Sequence, residues 1–130
     1  MSPKPKTPPE LHELESEVMD EVWGREDEVA VRDVMEALNK RAKKPRAYTT
    51  YMTILGRLHG KGLVTRRREG KTDLYRPAHT RDEYAQLRAQ ADVDALVERY
   101  GDAAFSHFAR QMASLDPDRR RQLQRLAREK

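Results

Sequence analysis

Residues 47–64 read AYTTYMTILGRLHGKGLV, and residues 65–77 continue TRRREGKTDLYRP. Tyr51, Ile54, Leu55 and Leu58 fall within one arc at about 100° per residue. The first stretch therefore predicts a helix from about Thr49 to Lys61 with one apolar face. Its far side holds Thr49, Met52, Thr53, Gly56 and Gly60, and Thr50, Arg57 and Lys61 mark one boundary between the two. A surface helix ordinarily carries Glu and Lys outward, and each Gly inside a helix costs about 1 kcal/mol. A face of Thr, Met and Gly is small enough to press against another surface. Gly62 is expected to cap the helix. Leu63–Arg68 and Asp73–Pro77 read as two strands, with Glu69-Gly70-Lys71-Thr72 as the turn and Gly70 free to take positive φ.

Upstream, Leu11, Leu14, Val18 and Val22 recur at helical spacing, which predicts a first helix from about Glu10 to Trp23, ended by Gly24. Trp23 is expected as a core anchor. Val31, Val34, Met35 and Leu38 predict a second helix over Val31–Arg41. Glu28–Ala30 before it is a candidate edge strand for the hairpin. Residues 42–47 form a basic connection, and Pro45 biases Lys44 away from helical geometry. Helix, turn, helix and hairpin together are a winged-helix arrangement.

Downstream, Thr80-Arg81-Asp82-Glu83 is a capping box that opens a fourth helix running to about Tyr100. Its inward residues are expected to be Tyr84, Leu87, Ala91 and Leu96. Gly101 and Asp102 break it. A fifth helix over Ala103–Ser114 carries Phe105, Phe108 and Met112. Asp116 caps a sixth with Pro117 at its first position, and Leu123 and Leu126 are its apolar residues. Helices this short with so few large apolar residues make a poor core alone. The expectation is a symmetric dimer that buries Leu87, Leu96, Tyr100, Phe105, Phe108, Met112, Leu123 and Leu126. The alternative is that these helices fold back on the N-terminal unit.

The fold class is therefore mostly α: a disordered arm over 1–9, a winged helix-turn-helix of three helices and a β-hairpin wing over 10–79, and a C-terminal helical dimerisation region over 80–130. The arm, with four Pro and two Lys, is a tail or a segment touching nucleic-acid backbone.

Charge separates along the chain. Residues 10–40 hold three Lys/Arg against eleven Asp/Glu, and residues 41–76 hold eleven against two. That concentration on one supersecondary unit points to a polyanion-binding surface. The competing reading is mutual neutralisation of the two patches within the fold. With no Cys, disulfides, thiolate metal sites and cysteine nucleophiles are excluded. His12, His59, His79 and His107 lack metal-ligand spacing, and no phosphate-cradling Gly loop is present. An enzyme, a metal and a cofactor are not expected. No apolar run approaches the roughly 20 residues of a membrane span. A cytoplasmic protein is expected.

A major groove about 12 Å wide admits one helix. Thr49, Thr50, Met52 and Thr53 are the candidate base contacts: Thr hydroxyls donate or accept at base edges, and Met52 can meet a thymine methyl. Gly56 would let the helix sit close. Thr49 serves equally as a helix cap. Arg57 and Lys61, with Arg66, Arg67, Arg68 and Lys71 on the hairpin, are the candidate phosphate contacts. Strand alternation keeps all three Arg from pointing the same way. Tyr48, placed just before the helix, either bonds a phosphate or packs on the helix start. Alternatives of other classes are a winged-helix module for protein–protein assembly and a double-stranded RNA binder.

The chain resembles the BlaI/MecI family of penicillinase repressors, which includes copper-responsive CopY-type members. The resemblance rests on LxxLExxVMDxVW at Leu11–Trp23, VRDVMEAL at Val31–Leu38, AYTTYMTILGRLHGKGLV at Ala47–Val64 and RRREGKTDLYRP at Arg66–Pro77. It is close over 10–80 and looser in the tail. It implies a homodimeric repressor that binds inverted repeats with TACA/TGTA-like halves and dimerises through the C-terminal helices. It also implies that the positions of Thr49, Thr50, Met52 and Thr53 meet DNA, although several relatives are basic where this chain has Thr49 and Met52. A regulatory protease is an implied partner, but the stretch around Gly101–Phe108 offers no assignable cleavage dipeptide. Copper sensing by a cysteine cluster is excluded.

Overall fold

A computed structural model describes Pro8 and residues 11–129. The arm expected over 1–9 lies, Pro8 aside, outside the described residues. The element order is α1(Glu13–Trp23), α2(Val31–Arg41), α3(Tyr48–Gly60), β1(Val64–Glu69), β2(Thr72–Pro77), α4(Arg81–Tyr100), α5(Asp102–Ser114) and α6(Pro117–Arg128). This is the mostly α, winged-helix class the sequence predicts.

Several boundaries move for local reasons. α1 starts at Glu13, not near position 10, because His12 is its N-cap and the Glu15 carboxylate takes the His12 N–H at 3.0 Å. α3 starts at Tyr48 with Ala47 as N-cap and no side-chain cap. Thr49 is therefore inside the helix, and its expected capping role is corrected. Tyr48, expected before the helix, is its first residue.

At the other end, Leu63 N–H bonds Leu58 C=O at 2.9 Å and Gly62 N–H bonds His59 C=O at 3.0 Å. This is a Schellman closure, with Gly62 at φ 75°. It occupies the Leu63 N–H, so β1 begins at Val64. β1 and β2 pair antiparallel from Val64↔Pro77 to Glu69↔Thr72. That leaves a two-residue turn with Gly70 at φ 62°, as a primed hairpin turn requires. Val29 bridges Tyr75 as a third short edge, with bonds of 3.0 and 2.8 Å.

The core lies where α1, α2, α3 and the root of the hairpin meet. Val18, Met19 and Val22 of α1 pack with Val34 and Leu38 of α2. Tyr51, Leu55 and Leu58 of α3 are fully buried, and Leu63, Val64 and Tyr75 close the hairpin side. Trp23 is half-buried at the edge of this cluster. Its Nε1 donates to the His79 carbonyl at 2.9 Å, and its ring lies 5.4 Å from that of Tyr84. Arg81 sits over it at 5.5 Å. The first turns of α4 are therefore fixed to this compact unit, which runs to Ala89. Arg88 also donates to the carbonyl of buried Pro8 at 3.0 Å.

The second unit starts at Gln90. The capping box Thr80/Glu83 opens α4, with bonds of 2.8 and 3.0 Å. Asp116 caps α6 by accepting the Arg119 N–H at 3.0 Å. Arg120 closes α5 by donating to the carbonyls of Met112, Ala113 and Leu115. These helices are well formed, yet no described side chain in α4, α5 or α6 is buried. Leu96, expected inward, is exposed.

Candidate nucleic-acid interface

The interface is built outward from the start of α3. α2 stops at Arg41, and Ala42 is already extended. Asn39, in the last turn of α2, then grips the chain beyond. Its Nδ2 donates to the Arg46 carbonyl at 3.0 Å, and its Oδ1 accepts the Arg46 N–H at 3.0 Å. The same Oδ1 accepts the hydroxyl of buried Tyr51 at 2.7 Å. One amide thus sets where α3 begins relative to α2. The sequence reading missed Asn39. Its only signal is an amide in a helix interior, a type that favours caps and turns.

Along α3, Thr49, Met52 and Thr53 are exposed, while Thr50 and Gly56 are half-buried. A Cβ placed on Gly56 or Gly60 would meet nothing within 4 Å. Internal packing does not require these glycines; the space they leave is outside the protein. The outward face is low, uncharged and hydroxyl-bearing.

Directly paired residues share a face of the hairpin. Val64, Arg66 and Arg68 therefore lie on the face of Tyr75 and Asp73. On that side a groove opens between α3 and the wing, lined by Tyr48, Met52, Arg68 and Lys71. Arg66 has no ion-pair partner among the described residues. Burial, then the nearby Arg66 charge, holds the His59 imidazole below its ordinary pKa. Arg68 lies 3.3 Å from Asp73.

Arg67 points to the opposite face. It grips Glu28 at 3.0 and 2.6 Å and reaches Glu69 at 3.1 Å. Its hydrogen bond is the chief reason the Glu28 carboxyl sits below its ordinary pKa, and the Arg67 guanidinium is raised in return. Arg67, expected as a phosphate contact, is exposed but already paired with two carboxylates of the fold. Lys61, the other end of the same expectation, is engaged within the fold as well. Its ammonium donates to both oxygens of buried Glu15, at 2.9 and 2.8 Å. Arg57, Arg66 and Lys71 remain exposed, with no ion pair among the described residues.

The sequence pattern that defines the penicillinase repressors matches residues 11–129. The chain belongs to the penicillinase repressor family. It is 40% identical over 112 residues to the transcriptional regulator BlaI of Mycobacterium tuberculosis, in strain CDC 1551 / Oshkosh and in strain ATCC 25618 / H37Rv alike. The aligned part spans 83% of this chain and 78% of each relative. Penicillinase repressors are DNA-binding transcriptional repressors and not a class of enzyme. Among the described residues, no helix is long and apolar enough to cross a membrane, and no cluster of His, Asp or Glu could hold a metal ion.

Of the residues expected at the repressor's dimer interface, Leu96, Tyr100, Phe105, Phe108 and Leu126 are exposed, and Leu87, Met112 and Leu123 are half-buried. Leu96, Tyr100, Ala103, Ala104, His107 and Phe108 line one apolar groove.

Proposed function

We propose that this repressor is a homodimer that binds an inverted-repeat operator in duplex DNA and blocks transcription there. α3 enters the major groove of each half-site. Thr49, Met52 and Thr53 face base edges, with Thr50 at their flank. Arg57, Arg66, Arg68 and Lys71 hold phosphates, and Tyr48 adds a hydroxyl on the wing side. The observation that carries this reading is the outward face of α3, where a Cβ on either glycine would meet nothing within 4 Å and exposed cations with no ion pair among the described residues stand on both flanks. Such a face has no internal purpose and fits close approach to a polyanion. The uncovered apolar surface of α4, α5 and α6 supports the second copy. The repressor acts in the cytoplasm, on the DNA it controls. Release by a regulatory protease acting on the C-terminal unit belongs to the same reading, since Gly101–Phe108 is exposed apart from half-buried Ala104.

Selection of bound sequences from a random duplex pool tests it. The expected result is a two-fold symmetric motif recovered in moderate salt. Recovery of no motif, or binding only to an acidic protein or to RNA, would overturn it.

A further inference from the structure

The basic residues of 41–76 do not all have the same freedom. Arg41, Lys61, Arg67, Arg68 and Arg76 each lie within ion-pair distance of a carboxylate. Lys43, Lys44, Arg46, Arg57, Arg66 and Lys71 do not, among the described residues. Half of these unpaired cations fall in the short α2–α3 connection, where all three are exposed.

Their position is set by two contacts. Lys61 and Arg57 share one boundary of α3, and Lys61 reaches Glu15 of α1. That boundary is therefore the α1 side, away from the wing groove beside Tyr48 and Met52. Lys43, Lys44 and Arg46 line a recess with Glu13 and Glu17, also of α1. The connection thus continues the Arg57 flank at the N-terminal end of α3. Asn39 holds the Arg46 backbone at both its N–H and its C=O, and Pro45 fixes its own φ. Little backbone ordering is left to occur on binding.

We infer that Lys43, Lys44 and Arg46 form a second phosphate-binding site, which holds the sugar-phosphate strand on the flank of α3 opposite the wing. The inference rests on the reading that α3 enters the major groove. A helix seated there runs between two strands, and the wing can reach only one of them. Glu13 and Glu17 approach neither lysine within ion-pair distance, and their charge keeps the bound strand on the α3 side of the turn.

The test uses the full chain and two probes, a duplex recovered by selection and a scrambled duplex, each titrated by fluorescence anisotropy at several KCl concentrations. K43A/K44A is expected to flatten the dependence of log K on log salt by about 0.9 for each lysine lost per protomer. Affinity for both duplexes should fall by the same factor. K43R/K44R should keep the wild-type slope. The thermal midpoint should not move, since these side chains make no ion pair or hydrogen bond among the described residues. If R66A flattens the slope while K43A/K44A leaves it unchanged, the second site is refuted and the α3 reading stands. If wild type binds neither duplex in a salt-dependent way, the α3 reading itself fails.

Discussion

Lys61, at the C-terminal end of α3, donates to both carboxylate oxygens of Glu15, near the start of α1, across 46 residues of chain. Glu15 is buried to 2% exposure, so the pair is a joint between helices and not a surface contact. The same carboxylate takes the His12 N–H. It therefore caps α1 and ties down α3 together.

Removing one partner leaves the other uncompensated. Lys61→Ala should lower stability by about 2 kcal/mol, toward the low end for a buried pair because the lysine is partly exposed. Urea unfolding measures it. Burial alone would raise the Glu15 pKa, but the Lys61 hydrogen bond, the His12 N–H and the two charges together outweigh it and leave it below 4.5. A depressed carboxylate gives its stabilisation above its unfolded pKa and loses it as pH falls through the folded one. The wild type should therefore lose stability below about pH 4.5 more steeply than Glu15→Gln. Lys61→Ala should leave the salt slope of DNA binding unchanged; a flatter slope would make Lys61 a phosphate contact.

The wing arginines should separate by face. Arg66→Ala is expected to flatten the salt slope by about 0.9 per protomer and to weaken selected and scrambled duplexes alike. Arg67→Ala should leave the slope nearly unchanged, because its guanidinium is bound to Glu28 and Glu69. Salt-dependent titration of both variants decides it, and equal slopes would mean that the hairpin turns its other face to DNA.

Stability and binding should move in opposite directions at Gly56. A Cβ there meets nothing within 4 Å, so Gly56→Ala should stabilise the protein by up to about 1 kcal/mol through helix propensity. Gly56→Leu should keep most of that gain yet abolish operator binding by holding the helix away from the bases. Thr53→Ala should instead keep binding and relax discrimination at one base pair by about 1–3 kcal/mol. Thermal melts and competition titrations read these out; a Gly56→Leu protein that binds normally would exclude this face from the contact.

The extent to which the sequence foretold these arrangements follows from how local each one is. The stripe Tyr51–Ile54–Leu55–Leu58, the glycine closure at Gly62, the Thr80/Glu83 box and the Asp116-Pro117 start all depend on residues within about two helical turns, and each stands where the pattern placed it. The pairs Lys61–Glu15 and Arg67–Glu28 span 46 and 39 residues and exist only once the helices and wing are packed. No spacing rule reports them. The face of each wing arginine was hidden for a related reason. Alternation was legible, but its phase depends on Leu63 being taken by the helix closure, which shifts the strand start by one residue. A register known only to within one residue cannot say which arginine is outward.

The uncovered apolar surface of the C-terminal helices supplies the last prediction. Tyr100 and Phe105 are 55% and 56% exposed, and no described side chain of α4, α5 or α6 is buried. At about 25 cal/mol per Å2, leaving several such side chains in water forgoes several kcal/mol. Phe105→Asp should convert a dimer into a monomer in sedimentation equilibrium at micromolar concentration. The N-terminal unit has its own core, so its helical signal and melting should persist. Operator affinity should fall by about 100-fold or more, because the two half-sites are then engaged by independent copies. Binding to a single half-site should change little. A Phe105→Asp protein that remains dimeric would place the interface on another surface of the chain.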